Sequence, residues 1–166
     1  MIITLPRKVR SVYSESLIPI GDPLCRISRV KNGVVLHNPR GEVIAQVFSV
    51  NGGMRATVAD GGTLVLTLNG KNVDVKKLSF TEKENKEVLD KTAKRTVSVE
   101  EYVFFGNAQK AQYEIFARKK DEIKPSSIIR TVAHPLNDDE VNVEISNDFN
   151  LLYAICICLA IDLLVG

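Results

Sequence analysis

The sequence is poor in the residues that build metal sites and disulfide frameworks. Its 166 residues include three cysteines and two histidines. Three cysteines do not make a disulfide framework, and two of them lie in one apolar stretch, so a reducing compartment is favoured. His37 and His134 have no cysteine or carboxylate partners at metal-ligand spacing. We therefore expect no zinc site.

The short motifs that mark common enzyme classes are missing as well. The sequence contains no Gly-x-Ser-x-Gly nucleophile elbow, no phosphate-binding loop and no dinucleotide fingerprint. Because no positive signal for catalysis is left, we expect a protein that is not an enzyme and that uses no cofactor.

Strong charge and a secretory leader are also lacking. The chain has 22 basic and 20 acidic residues, a net charge of +2, and this excess is too small to predict a nucleic-acid partner. The opening residues MIITLPRKVR contain no continuous apolar segment, so we expect no signal peptide. These absences favour a cytoplasmic protein that acts in the cytosol, at a membrane surface or in the nucleus.

Long apolar runs are absent until the end of the chain, where LLYAICICLAIDLLV occupies residues 151–165. A helix that is apolar on all sides must be enclosed by protein or by lipid. Its length of about 22 Å is short against a hydrocarbon core of about 30 Å. Asp162 lies inside the run, and no Lys or Arg follows His134, so a buried core helix is favoured over a membrane anchor.

We expect this helix to cover about residues 148–165, because Asn147 and Asp148 are suitable N-cap residues. The side chains assigned to its buried contacts are Leu152, Ile155, Cys156, Cys158, Leu159 and Ile161. Cys156 and Cys158 point about 200° apart around a helix, which suits packing rather than shared metal binding.

The middle of the chain is typical of an antiparallel β-meander. Gly-containing turns such as Asn32-Gly33, Asn51-Gly52-Gly53 and Asp60-Gly61-Gly62 separate short apolar segments. They predict strands over residues 24–30, 34–37, 42–50, 54–59, 63–68 and 73–80. After a charged segment, 81–95, that predicts an exposed loop or a short surface helix, further strands are predicted over 96–105, 112–118, 127–133 and 140–145.

These patterns define the expected domain organisation and fold class. Residues 1–22 form an N-terminal arm that contains a further candidate strand, and residues 23–166 form one domain. The arm carries Arg7, Lys8 and Arg10, which predict either a solvated segment or contact with an anionic surface. About eleven or twelve strands could close into a barrel wide enough to hold a central helix. We therefore predict a mainly β (α+β) fold, a closed antiparallel barrel of about twelve strands around the C-terminal helix.

Several segments resemble the tubby C-terminal-like superfamily, particularly its LURP-one-related and phospholipid-scramblase branches. The last predicted strand, 141–145, is followed by an apolar helix that finishes Leu159-Ala160-Ile161-Asp162. Residues 35–43 look like a first central hairpin of that group, and residues 102–107 with 112–118 look like a later one. The resemblance covers nearly all of residues 24–166. It implies a closed barrel of twelve strands around a hydrophobic C-terminal helix.

The resemblance also implies two candidate binding regions. Scramblase-like proteins have an acidic calcium-binding segment at the place of Asp138, Asp139 and Glu140, although the spaced Asp-x-Asp pattern is not kept here. Oxygen ligands of this kind suit calcium, and the alternative is a polar turn without metal. Proteins of the tubby branch bind phosphoinositide headgroups through basic side chains on the barrel. The candidates here are Lys76, Lys77, Lys94, Arg95, Arg118, Lys119 and Lys120, and the alternative is a set of scattered, solvated cations.

Three functional hypotheses follow from these features. The first is a non-enzymatic module that binds phosphoinositides at a membrane surface or acts as a regulatory adaptor. The second is a structural protein-interaction subunit that uses the 81–95 segment and the N-terminal arm. The third is scramblase-like lipid transport, which would require the C-terminal helix or an oligomer to disturb the bilayer.

Overall fold

The computed structural model of the chain describes residues 1–8, 18–20, 25–69, 72–82, 95–117, 126–132 and 139–165. This part of the chain forms β1 (Ile2–Pro6), β2 (Ile18–Ile20), β3 (Cys25–Val30), β4 (Gly33–His37), β5 (Val43–Val50), β6 (Gly53–Val58), β7 (Thr63–Asn69), β8 (Asn72–Glu82), β9 (Arg95–Asn107), β10 (Gln112–Ala117), β11 (Ser126–Val132), β12 (Glu140–Ile145) and the helix α1 (Leu151–Val165). The chain is therefore mainly β, with a single helix in the described residues.

All of these strands belong to one sheet of twelve, in the order β1-β12-β11-β10-β9-β8-β7-β6-β5-β4-β3-β2. Every strand pairs antiparallel with its neighbours. From β2 to β12 each strand lies beside the next one in the sequence, as expected for a meander. The N-terminal strand β1 completes the order by pairing with β12, so the first and the last strand of the sequence are neighbours.

Most strands lie where the sequence predicted them, with ends that differ by a residue or two. The candidate strand in the N-terminal arm is present as β1, whose Ile3 and Leu5 are buried in the core. The short strand β2, within the same arm, was not predicted. β8 ends at Glu82 and β9 begins at Arg95, so both ends of the 81–95 segment are strand rather than loop or helix. Residues 83–94 lie outside the described residues.

In the turn between β3 and β4, glycine does not have the role that the sequence predicted, which was to form the turn itself. Asn32 alone takes the left-handed conformation, with φ of 71°, and Gly33 is the first residue of β4, paired with Val30. A Cβ atom on Gly33 would collide with the backbone carbonyl of Val47 on the next strand. Gly33 is therefore needed for close approach of two strands, while Asn32 makes the turn.

The helix α1 forms the centre of the core. Every residue from Tyr153 to Ile161 is buried, and so is Leu163. A helix buried on all faces has no solvent side, which explains why its sequence lacks the usual amphipathic period. The inward residues of the strands, including Leu36, Leu64 and Ile129, belong to the same buried cluster. The sheet thus supplies the apolar surroundings that the helix requires.

Two details of the helix differ from the sequence-based expectation. The helix begins at Leu151 rather than at 148, and its N-cap is Asn150. The Asn150 Oδ1 atom accepts hydrogen bonds from the backbone N–H groups of Leu152 at 2.9 Å and Tyr153 at 3.3 Å. Among the residues assigned to buried contacts, Ile155, Cys156, Cys158, Leu159 and Ile161 are buried, as predicted. Leu152 packs against the core only in part, because it lies in the first turn at the rim of the sheet.

The two edge strands of the sheet are β1 and β2. Among the described residues they are not hydrogen-bonded to each other, although Cα atoms of the two strands approach within 8 Å. The described sheet is therefore curved enough to bring its edges together and to cover the helix.

Candidate functional site

The two adjacent lysines of β8 lie on opposite faces of the sheet. Successive side chains of a strand alternate between faces. Lys76 points outward, with 52% of its side chain exposed, and its Nζ atom lies 3.8 Å from Glu101 Oε1 on β9. An exposed ion pair of this kind contributes about 0–1 kcal/mol. Lys76 and Lys77 therefore do not form one basic patch.

Lys77 joins a polar cluster at the start of the helix instead. Its Nζ atom lies 4.2 Å from the centroid of the Tyr153 ring. The Tyr153 hydroxyl donates a hydrogen bond of 2.5 Å to Asp60 Oδ1, and the Gly62 backbone N–H donates one of 2.9 Å to the same oxygen. This arrangement ties the turn between β6 and β7 to the first turn of α1.

The ionisation of this cluster follows from its contacts. The hydrogen bond from Tyr153 lowers the pKa of the Asp60 carboxyl, and the Gly62 N–H and the charge of Lys77 act in the same direction against the opposing effect of burial. Burial, and then the bond to Asp60, raises the pKa of the Tyr153 hydroxyl. At neutral pH the cluster holds a carboxylate and a neutral phenol, a structural pairing rather than an acid–base pair suited to catalysis.

The other basic candidates cannot be grouped with Lys76. Arg95 is the first residue of β9 and pairs with Glu82, the last residue of β8. Only the backbone of Arg95 is described. Lys94, Arg118, Lys119 and Lys120 lie outside the described residues. In the sequence, the last three follow Ala117, the residue at which β10 ends.

The acidic candidates lie at the start of β12. The Asp139 carboxylate is 4.0 Å from Lys8 Nζ. The backbone carbonyl of Asp139 accepts a hydrogen bond of 2.7 Å from the backbone N–H of Arg7. Glu140 is the first residue of β12 and pairs with Pro6, while Asp138 lies outside the described residues. Within the described ranges, no three His, Cys, Asp or Glu side chains are grouped so that they could hold a metal ion.

The cysteines of the core are poorly suited to nucleophilic chemistry. Burial raises the pKa of the Cys25 thiol to about 11 and those of the Cys156 and Cys158 thiols to about 12. The reactive species of cysteine is the thiolate. At neutral pH these three side chains are therefore protonated, unreactive packing groups.

The outer face of β9 and β10 carries an exposed aromatic pair. The Phe105 side chain is 59% exposed and is the one aromatic among the exposed large apolar residues of the described chain. Its ring packs edge-on against the half-buried Phe116 ring, with centroids 5.6 Å apart and an interplanar angle of 82°. We call Phe105 and Phe116 the aromatic pair. The two rings form one contiguous apolar surface, and it is contiguous apolar surface, rather than single exposed side chains, that marks interaction sites.

Charged residues border the aromatic pair on one side. By strand register, Phe105 lies opposite Glu114 and Glu114 lies opposite Arg130. Arg130 in turn donates a hydrogen bond of 2.5 Å to Glu144 on β12. The half-buried Val103 lies opposite Phe116 and extends the apolar surface on the side away from these charges.

Sequence reasoning did not identify this pair, although one signal was available. Phe104 and Phe105 are adjacent on one strand, so their rings must lie on opposite faces of the sheet. Phe104 is buried against Tyr113, with ring centroids 5.3 Å apart, which leaves Phe105 on the outside. Two adjacent aromatic residues in a strand of a one-sided sheet therefore indicate an exposed ring.

Within the described part of the chain, no helix combines the length and the apolarity needed to cross a bilayer. Comparisons with protein-family models, with curated proteins and with solved structures find no match to this chain.

Proposed function

We propose that the chain is a non-enzymatic module of the tubby-like, LURP-one-related type that attaches reversibly to anionic, phosphoinositide-containing membrane surfaces from the cytosolic side. The observation that carries the proposal is the exposed aromatic pair. Phe116 lies two residues before the basic run Arg118-Lys119-Lys120 in the sequence. Aromatic rings on the outer face, close in sequence to a run of cations, are suited to a surface with an apolar interior and anionic headgroups.

The architecture supports the tubby-like part of the proposal. That superfamily has twelve strands around a hydrophobic C-terminal helix, and the described sheet has twelve strands with α1 buried in its core. We propose that the sheet closes between β1 and β2, whose Cα atoms already approach within 8 Å. Closure would remove two exposed strand edges, which otherwise favour aggregation.

Simple energetics indicate a weak and reversible attachment. Each Lys or Arg near an anionic leaflet contributes about 1 kcal/mol, so the run at 118–120 would supply about 3 kcal/mol. Burial of one phenylalanine in the interface would add roughly 1.5–3 kcal/mol. The sum corresponds to a dissociation constant on the order of 0.1 mM. Other contacts, or several copies of the protein, would be needed for permanent attachment.

The assignment as a non-enzyme is supported by the chemistry of the described groups. The core thiols are protonated at neutral pH because burial raises their pKa values. The Asp60–Tyr153 pair is held by structural hydrogen bonds at the helix start. Neither group provides an activated nucleophile beside a general base.

Vesicle co-sedimentation tests the proposal directly. Binding should be weak with neutral phosphatidylcholine vesicles, should rise when phosphatidylinositol bisphosphate is included, and should fall as ionic strength increases. The Phe105→Ala variant should bind roughly 10- to 100-fold more weakly, and Arg118→Gln/Lys119→Gln/Lys120→Gln should lose about 100-fold. The matched controls are Leu68→Ala, which removes another exposed apolar side chain, and Arg26→Gln/Lys31→Gln/Arg40→Gln.

Equal binding to neutral and anionic vesicles, or none to either, would refute the membrane proposal. In that case the aromatic pair would favour the second hypothesis, a protein-interaction subunit, and a partner lost with Phe105→Ala would identify the surface. Scramblase-like transport receives less support, because α1 is buried from Tyr153 to Ile161 and would have to leave the core to enter a bilayer.

A further inference from the structure

A cavity of about 280 Å³ lies at the end of the sheet where α1 ends. Its walls come from four parts of the chain: the end of β1 with the residues after it, the turn between β9 and β10 with the start of β10, the start of β12, and the last turns of the helix. This cavity is separate from the aromatic pair, and its use does not depend on membrane attachment.

The inner walls of the cavity are mostly apolar. Leu5, Val141 and Ile161 are core residues that line it. Tyr113 and Cys158 also line it, and both side chains are buried. The inner part of the cavity is therefore suited to hydrocarbon.

Charged groups line another part of the same cavity. Arg7 and Lys8 contribute two cations and Asp162 one carboxylate. The Lys8 backbone N–H donates a hydrogen bond of 2.8 Å to Asp162 Oδ1. An Arg7 guanidinium N–H donates a hydrogen bond of 3.2 Å to the backbone carbonyl of Gln109. The residues that line the cavity carry two positive charges and one negative charge when Asp162 is ionised, and the Lys8 Nζ atom also lies 4.0 Å from the exposed Asp139 carboxylate. Arg7 is therefore the main anion-binding group of this wall, since a guanidinium can bind several acceptors at once.

The backbone of this segment is held in an uncommon conformation. Lys8 has φ of 57°, in the left-handed region that costs a non-glycine residue about 1 kcal/mol. The hydrogen bond from Lys8 to Asp162 is formed in this conformation. Strain of this type is retained where the local geometry has a use, and here it sets Arg7 and Lys8 against the end of the helix.

The volume limits the size of a ligand. A dry cavity of about 150 Å³ accepts benzene, so the present cavity, of about 280 Å³, accepts a molecule with roughly a dozen non-hydrogen atoms. A medium-chain fatty acid such as octanoate has about this size and combines an alkyl chain with one negative charge.

We propose that this cavity binds a small amphipathic monocarboxylate of the medium-chain fatty-acid class. The carboxylate binds beside Arg7 and Lys8, and the alkyl chain lies against Leu5, Val141 and Ile161. Because Arg and carboxylate form charge-assisted hydrogen bonds, the charged group selects for an anion over an alcohol or an amine of the same chain length.

The test is isothermal titration of the full chain with octanoate, octanol and octylamine below their aggregation concentrations. Octanoate should bind saturably at one site, and the other two compounds at least tenfold more weakly. Arg7→Gln should weaken octanoate binding by about tenfold. Val165→Phe, which places a larger side chain in a half-buried wall of the cavity, should abolish it. The control Arg55→Gln removes an exposed cation of β6 that does not line the cavity.

The thermal unfolding temperature of each variant is first measured without ligand, so that loss of binding is not confused with loss of folding. The proposal is overturned if octanoate does not bind, if octanol or octylamine binds equally well, or if folded Val165→Phe keeps the full affinity. No vesicles are used, so failure here leaves the membrane proposal standing, and failure of vesicle binding leaves this one standing.

Discussion

The Tyr153 hydroxyl donates a hydrogen bond of 2.5 Å to Asp60 Oδ1, although the two residues are 93 positions apart in the sequence. Tyr153 lies in the first turn of the buried helix and Asp60 in the turn between β6 and β7. The helix is therefore attached to the sheet at its start by a specific polar contact as well as by apolar packing. At its other end, Asp162 accepts the hydrogen bond from Lys8.

Removing the hydroxyl should weaken this attachment. We expect Tyr153→Phe to lower the free energy of unfolding by about 1 kcal/mol, because a hydrogen bond to a charged group is lost at a partly exposed site. Urea denaturation measures the change. Asp60→Asn should have a similar effect, whereas the matched control Asp74→Asn, on an exposed position of β8, should change stability by less than about 0.5 kcal/mol. Equal losses for Asp60→Asn and Asp74→Asn would contradict the role given to this contact.

The same contact predicts a pH dependence. The pKa of Asp60 is lower in the folded chain than in the unfolded chain, where it is near the ordinary aspartate value of 3.8. Below that value the unfolded chain binds the proton more readily than the folded one. The stabilisation is therefore fully present above about pH 4 and is lost as pH falls through the lower, folded pKa. The urea concentration at the midpoint of unfolding should fall as pH is lowered from neutral to acidic values. This fall should be less steep for Tyr153→Phe than for the wild type. Parallel curves for the two proteins would show that Tyr153 does not set the pKa of Asp60.

Gly62 leaves no room for a side chain at this contact. A Cβ atom there would collide with the Tyr153 hydroxyl, so Gly62→Ala must displace the ring. We expect a loss of about 2 kcal/mol, within the range for overpacking. In the Tyr153→Phe background the same substitution should cost less, because the closest clashing atom is gone, although the ring carbon that carried the hydroxyl would still lie 2.7 Å from the Cβ atom. A double-mutant cycle from thermal or urea unfolding measures the difference, and a coupling energy of zero would exclude the proposed collision.

A matched pair of helix substitutions tests the burial pattern of α1. Ile155 is 1% exposed and Leu152 is half-buried at the rim. Ile155→Ala should cost about 2–5 kcal/mol, through lost burial and the cavity left behind. Leu152→Ala should cost clearly less, although the sequence alone assigned both residues to buried contacts. A larger loss for Leu152→Ala would mean that the helix is rotated or shifted relative to the described packing.

The sequence predicted most of the fold because its signals are local. Gly-containing turns and alternating apolar residues define the strands from β3 to β12, and an apolar run with a buried-helix composition defines α1. The strand β2 was missed because Ile18-Pro19-Ile20 is too short to show a period. The helix start was placed too early because Asn147, Asp148 and Asn150 are all suitable caps, and only the backbone geometry selects Asn150.

The candidate site was harder to predict because it depends on which face each side chain occupies. The adjacency of Lys76 and Lys77 indicated a basic cluster. The pleat of β8 instead places the two side chains on opposite faces, and the Lys77 ammonium contacts the Tyr153 ring. The cavity beside Arg7 and Asp162 requires the first strand to pair with the last one. No local pattern contains that information, because the two segments are more than 100 residues apart in the sequence.

The central claim is that the sheet encloses α1, and thiol labelling tests it in the wild-type protein. Cys25, Cys156 and Cys158 are all buried, so a maleimide reagent followed by mass spectrometry should label them only at the rate of global unfolding, with or without anionic vesicles. Rapid labelling of Cys156 and Cys158 in protein that stays folded by circular dichroism would contradict the account, because the helix would then be open to solvent.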